Sequence, residues 1–328
     1  MAAAPFSAMN IKALMAAMLV SGSLGTMAAC GSDSSATATT SADASSGDTQ
    51  QDSSVAADTA SEDVAATPPA PPAYDGTCPT FATGTVKLQA GGFARSVKVY
   101  LPSDPQGAGL LYLWHGLGDN ANNFASMMKA ATVAETYHMV VVVPLSCGES
   151  GQAACNSMAT EWSYTVKQEE RDGALFDTIL ACADQGLVID RHRIYTAGFS
   201  AGALWSTWLT MHRSSYLAAS AIFSGGVNSI VPWSAPERIV PVVDSSGGVN
   251  DKFMNGVVDF QKSIADLNTN LRAAGDFVVH CQHNSGHTVT APIVTFAFAF
   301  LNDHTWGGTL PYANGLPETA PANCEIVP

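Results

Sequence analysis

Residues 193–212, Arg-Ile-Tyr-Thr-Ala-Gly-Phe-Ser-Ala-Gly-Ala-Leu-Trp-Ser-Thr-Trp-Leu-Thr-Met-His, constrain the fold of this chain more than any other stretch. A short β-type run over 193–197 stops at Gly198-Phe199-Ser200-Ala201-Gly202 and resumes as an apolar helical run over 203–211. Strand and helix are thus separated by one tight turn. Gly198 and Gly202 carry no Cβ, so the two elements can approach closely, and Ser200 is forced into a strained backbone with its hydroxyl exposed. The helix N-terminus then lies beneath that hydroxyl, where its dipole and free N–H groups favour developing negative charge. Gly-x-Ser-x-Gly in this context is the sequence form of a nucleophile elbow.

The elbow needs a wound sheet around it, and the rest of the chain reads as one. Residues 85–89 and 96–101 alternate apolar and polar side chains around a Gly-Gly turn, which predicts an antiparallel hairpin. Continuous apolar strands are expected over 110–115, 139–144, 193–197, 218–223, 239–243 and 277–281, with helices over 124–137, 169–183, 203–211, 257–274 and 292–302. Alternation of this kind predicts an α/β fold with a doubly wound, mostly parallel sheet. No repeat of 20 to 50 residues runs along it.

Composition divides the chain of 328 residues into three parts. Residues 1–30 read as a signal segment: Lys12, an apolar run over 13–20, then small residues up to Met27-Ala-Ala-Cys30. The apolar run is too short for a membrane span, and Met9-Asn-Ile-Lys-Ala-Leu is the more ordinary start of such a segment. Residues 31–73 contain no Leu, Ile, Phe, Met, Trp, Tyr, Lys or Arg and end in Pro-Pro-Ala-Pro-Pro-Ala, a composition that cannot offset its ordering entropy and is expected to form a disordered tether. Residues 74–328 suffice for one domain with a full core.

Leu24-Gly-Thr-Met-Ala-Ala-Cys30 resembles a bacterial lipoprotein processing site, which makes Cys30 the expected lipidated residue, although Met27 stands where Leu is usual. The competing reading is an ordinary secreted protein cleaved near Ala29. The net charge of −14, with no basic run, argues against nucleic acid or anionic lipid as a partner and leaves the anchor as the membrane contact. Without Cys30, six cysteines remain, and in an exported chain three disulfides are expected. Cys147 with Cys155 and Cys78 with Cys324 are the simplest pairings by position.

A serine hydroxyl at neutral pH needs a base and a group to orient that base. His287 stands after the last expected strand and before the closing helix, where its imidazole can swing over the sheet edge to Ser200. His283 is the rival base. Two carboxylates follow the 239–243 strand: Asp251 lies beyond a glycine-rich turn long enough to reach His287, and Asp244, at the strand end, is the alternative. Backbone N–H donors for an oxyanion are expected at Ala201, after the nucleophile, and at Leu117, after His115-Gly116. Trp162, in a loop over 145–167 that reads as a cleft wall, is a candidate substrate contact. His280, His283 and His287 lack a Cys or Glu at ligand spacing, so no metal site is assigned, and the chemistry calls for no cofactor.

His115-Gly116 after an apolar strand, Asp190-Arg-His-Arg-Ile-Tyr-Thr-Ala-Gly-Phe-Ser200-Ala-Gly-Ala, the Val-Pro strand leading to Asp251, and Ser285-Gly-His287 together resemble α/β-hydrolases of the polyhydroxybutyrate depolymerase and feruloyl esterase type. The resemblance covers residues 80–305 and the order Ser, Asp, His. It departs at Gly247-Gly-Val-Asn-Asp251, where that family usually has His-Gly-Thr-x-Asp. It implies an exported carboxylic-ester hydrolase acting on polyester or on aryl or acetyl esters of plant polysaccharide. A serine peptidase of the same fold and a non-catalytic polysaccharide-binding surface lipoprotein are the rival readings.

Overall fold

The computed structural model describes residues 67–149, 162–163 and 169–328. The expected signal segment, Cys30 and nearly all of the tether lie outside these residues, as does most of the 145–167 loop.

Among the described residues the main sheet has nine strands, and β8 (Lys252–Phe253) with β9 (Val258–Asp259) forms a separate antiparallel pair. A hairpin of β1 (Gly84–Ala90) and β2 (Phe93–Tyr100) turns at the glycine pair and lays β2 antiparallel on β4 (Met139–Pro144). From β4 the strands run parallel through β3 (Gly109–Trp114), β5 (Ile194–Phe199), β6 (Ala219–Phe223), β7 (Val242–Ser246) and β10 (Val278–Gln282). A short antiparallel strand, β11 (Cys324–Ile326), closes the far edge. That strand carries no apolar run and was not expected. It is held by Cys281–Cys324, two residues directly opposite in the β10/β11 register.

Central strands are buried on both faces, which explains their unbroken apolar sequences. In β3, Leu110, Tyr112 and Trp114 join one core layer, while Leu111 and Leu113 join the other. The first layer packs under α3 (Glu169–Leu187), α4 (Ala201–His212) and α5 (Phe260–Ala274). The second lies under α1 (Ala121–Met127), α2 (Ala130–Tyr137) and α6 (Ala291–Asp303). A buried Arg95 on β2 donates to Asp172 on α3 at 2.6 Å, and Ser163 donates to the same carboxylate at 2.6 Å. Burial pushes the Asp172 carboxyl up, but Arg95, Arg171 and Ser163 outweigh it and hold it below the usual range.

Three expectations are corrected. The helix expected over 124–137 is two helices, because Lys129 adopts φ 53° and breaks the run between Met128 and Ala130, both buried. The strand expected over 239–243 begins at Val242. Pro241 has no N–H for a ladder, and the Val240 N–H is taken by the side chain of Asp276 at 2.6 Å, so the ladder starts with Val242 N–H on the Phe277 carbonyl. Asp244 is therefore inside β7. Finally, Cys78 pairs with Cys182 and Cys281 with Cys324, so the Cys78–Cys324 pairing is wrong: β11 brings Cys324 beside β10, and the chain before β1 lies on α3. Cys147 is disulfide-bonded, and its expected partner Cys155 lies outside the described residues.

Removing the Cys281–Cys324 crosslink frees a separation of 43 residues in the unfolded chain. The double variant Cys281→Ala/Cys324→Ala is expected to lose roughly 2–4 kcal/mol of unfolding free energy in chemical denaturation, with the Cys78–Cys182 pair, at separation 104, costing at least as much.

Candidate active site

At the C-terminal edge of β5 the chain turns through Ser200, which has φ 56° and ψ −119°, and enters α4. Such a backbone costs a side-chain-bearing residue roughly 1–3 kcal/mol and persists only when its surroundings fix it. Two contacts do so here. The Ser200 N–H donates to the Phe223 carbonyl on β6 at 3.0 Å, and α4 is pressed so closely onto β3 that a Cβ on Gly202 would stand 1.9 Å from the Trp114 carbonyl oxygen. A Cβ on Gly198 would meet Gly202 at 2.2 Å. Only glycine at both positions lets the helix start directly beneath the serine.

The loops after β7 and β10 come together over this edge. Beyond the paired strands the backbones stay joined: the His283 N–H donates to the Ser246 carbonyl at 3.0 Å, and the Gly286 N–H to the Gly247 carbonyl at 3.0 Å. A Cβ on Gly247 would lie 1.9 Å from the Gly286 oxygen, so a glycine is required where the two loops touch. This contact gives a physical reason for Gly247 where the resembling family usually has His.

The structure brings Ser200, His287 and Asp251 together. His287 Nε2 is 2.8 Å from Ser200 Oγ, and its Nδ1 is 2.6 Å from Asp251 Oδ1. Asp251 is fully buried, and its other oxygen accepts from Ser224 Oγ and from the Gly247 N–H, each at 2.7 Å. Three donors on one carboxylate hold it in a single orientation. The Asp251 carbonyl also accepts the Phe260 N–H at 2.9 Å, fastening the acid to the start of α5. Phe260 and Phe199 then sandwich the imidazole, with ring centroids 4.5 and 4.8 Å from that of His287. These aromatic faces hold the ring plane.

The other sequence candidates are placed elsewhere. Asp244 lies opposite His280 in the β7/β10 register and pairs with its Nδ1 at 2.5 Å. Burial drives the Asp244 carboxyl above its usual range, and the pair raises the His280 imidazole against its own burial. His283 Nδ1 accepts the Ser285 N–H at 3.2 Å, and burial lowers its pKa. Among the described residues no cluster of three or more His, Cys, Asp or Glu could hold a metal ion. Ala201 is the first residue of α4, so its N–H has no carbonyl within the helix. Leu117 follows Gly116, whose Cβ position would be 3.3 Å from Ser200 Cβ.

Trp162, the expected substrate contact, has no exposed surface. Its ring packs edge-on against Trp114 at 5.0 Å, and its Nε1 donates to the His115 carbonyl at 2.9 Å. An indole so enclosed supports the loop after β3 instead of lining a cleft. Ser224, Gly247, Phe199 and Phe260 were not among the sequence candidates. Of these, only Phe199 has a visible signal, its place inside the elbow motif.

Residues 95–237 match the Esterase PHB depolymerase family. Feruloyl esterase D of Neurospora crassa is 29% identical over 166 residues, which are 48% of this chain and about half, 54%, of that enzyme. Among solved structures, native pOPH aligns with a TM-score of 0.64 at 18% identity, covering 77% of this chain and 97% of its own. Native sOPH aligns with a TM-score of 0.64 at 17% identity, over 76% and 96% of the two chains. At these identities the structures speak for the fold alone.

Ser224→Ala would leave the buried Asp251 one donor short. A hydrogen bond to a charged acceptor is worth about 1.5–3 kcal/mol. Labelling of Ser200 by a fluorophosphonate should therefore slow about tenfold or more, with the thermal midpoint within a few degrees of wild type; an unchanged rate would show that Gly247 alone holds the acid.

The strand order and the elbow at Ser200 give the chain an α/β-hydrolase fold, and residues 95–237 are similar to the Esterase PHB depolymerase family.

Proposed function

We propose that this chain is an exported serine hydrolase of carboxylic esters, with Ser200 as nucleophile, His287 as base and Asp251 as the group that orients the base. The observation that carries the proposal is the unbroken relay of hydrogen bonds from Ser200 Oγ through His287 to Asp251, at 2.8 and 2.6 Å, set at the tip of the elbow.

The geometry favours a two-step reaction. Ser200 Oγ attacks the ester carbonyl carbon as His287 Nε2 takes its proton, and the resulting imidazolium is stabilised by Asp251. The carbonyl oxygen becomes an oxyanion, received by the N–H groups of Ala201 and Leu117, donors of a kind worth about 2.7–4 kcal/mol each. Collapse of the tetrahedral intermediate breaks the bond to the alcohol oxygen, which leaves with the proton from His287 and an acylated Ser200 behind it. Water then attacks the acyl carbon, gives its proton to His287, and the acid departs as Ser200 regains its hydrogen. Neither metal nor organic cofactor takes part.

Substrate class follows from similarity. The relative is a feruloyl esterase and the matching family an esterase PHB depolymerase, so the substrates proposed are feruloyl or acetyl esters on polysaccharide, or hydroxybutyrate polyester. Export is proposed from the leader-like residues 1–30, anchorage from lipidation of Cys30, and reach from the tether 31–73. The disulfides Cys78–Cys182 and Cys281–Cys324 fit an oxidising compartment. No helix among the described residues is long and apolar enough to cross a membrane.

Hydrolysis of p-nitrophenyl acetate, methyl ferulate, acetylated xylan, hydroxybutyrate oligomers and a peptide p-nitroanilide by wild type and Ser200→Ala tests the proposal. Wild type should turn over at least one ester and no amide, and Ser200→Ala should lower kcat about 10⁴-fold or more. Amide cleavage without ester cleavage would make the chain a peptidase, and ester turnover unaffected by Ser200→Ala would remove the nucleophile.

A further inference from the structure

A second carboxylate–imidazole pair stands beside Ser200 and has no part in the relay. His115 follows β3 and is fully buried. Its Nε2 is 2.7 Å from Glu149 Oε2, and its Nδ1 is 2.9 Å from the carbonyl oxygen of Gly116. Glu149 also accepts the Ser146 N–H on Oε2 at 2.8 Å and the Ala121 N–H, at the first position of α1, on Oε1 at 3.0 Å.

These partners fix the protons. A carbonyl can only accept, so His115 Nδ1 carries hydrogen. Glu149 faces two backbone donors as well as the imidazole. Burial is the largest influence on its carboxyl and pushes it up, but the hydrogen bond and charge of His115 and the N–H groups of Ala121 and Ser146 together bring it below its ordinary value. Its Oε2 is thus an anionic acceptor, and His115 Nε2 must be a donor too. The ring of Trp162 lies against the imidazole at 5.0 Å, a further favourable contact for a cation.

The consequence reaches the site through one peptide plane. All peptide bonds among the described residues are trans, so the Gly116 C=O and the Leu117 N–H point in opposite directions. Donors that pin the oxygen, His115 Nδ1 and the Asp119 N–H at 3.2 Å, aim the Leu117 N–H to the other side. Gly116 is the residue packed on Ser200, its Cβ position 3.3 Å from the serine Cβ. We infer that Glu149 keeps His115 as a buried imidazolium, and that this pair is a positioning device that aims the Leu117 N–H at the oxyanion formed on Ser200. The kinetic part rests on the function proposed above, whereas the protonation state does not.

Nitrogen-15 NMR of histidine-labelled protein at pH 7.5 tests the charge without any substrate. His115, assigned by the signals missing from His115→Phe, should show two protonated ring nitrogens in the wild-type chain and one in Glu149→Gln. A neutral His115 in wild type overturns the inference. With p-nitrophenyl acetate, His115→Phe should lower kcat about tenfold to hundredfold and leave KM within about twofold, because the donor acts on the transition state. Affinity for a trifluoromethyl ketone, which presents an oxyanion, should fall in parallel. Unchanged kcat in a folded His115→Phe variant, or a loss confined to KM, also overturns it. If wild type hydrolyses no ester, the proposed function fails, and the NMR result still judges the pair.

Discussion

Ser200 sits in a backbone conformation that an isolated chain would abandon, and the surrounding sheet is arranged to keep it there. The strain is opposed from two directions, by the Phe223 carbonyl on the neighbouring strand and by the closeness of α4 to β3 at Gly202. Neither contact is strong alone. Together they leave no room to relax, because the helix has only eight or so residues of apolar surface to slide against and every one from Ala201 to Met211 is buried. A well-packed layer thus turns many weak contacts into one fixed oxygen position.

The acid and base reach that oxygen on loops, which ordinarily give poor precision. Here the loops are extensions of a strand pair. β7 and β10 run parallel in register, and their backbones keep bonding beyond the last ladder pair through His283 to Ser246 and Gly286 to Gly247. Gly247 is the narrowest point of that zipper. A side chain there would part the loops and take Asp251 away from His287, so a glycine lacking any catalytic group governs the geometry as firmly as the carboxylate itself.

What could be read in the sequence was whatever has a short-range pattern. The elbow announces itself by two glycines flanking a serine between runs of different period, and His287 by its place between the final strand and the closing helix. The strand buried on both faces at residues 139–144 was placed to the residue. Signals failed where a distant partner decides. Met127 to Ala130 are all good helix formers, yet Lys129 breaks the helix so that both flanking residues meet the core. The β7 start was misjudged because the Val240 N–H is claimed by Asp276, 36 residues away. Trp162 gave no sign of being buried, and the cysteine partners could not be chosen while β11 was unseen. Ser224 has nothing around it in sequence to mark it, since its importance comes from lying next to a carboxylate 27 positions later.

Among the described residues three carboxylate–imidazole pairs are buried or half-buried, and they differ in what faces the other nitrogen. Around His287 it is the hydroxyl of Ser200, which can both give and take a proton, so the ring can shuttle one. Around His115 it is the Gly116 carbonyl, which can only accept, so that nitrogen carries hydrogen. At His280 the pair lies within the strand register, and burial raises the Asp244 carboxyl against the opposing pull of His280 and Asn268. The same two functional groups at nearly the same separation thus sit in three different surroundings. A distance between carboxylate and imidazole is therefore weak grounds for a catalytic role until the third partner is known, and the proposed relay rests on that partner being the hydroxyl of Ser200.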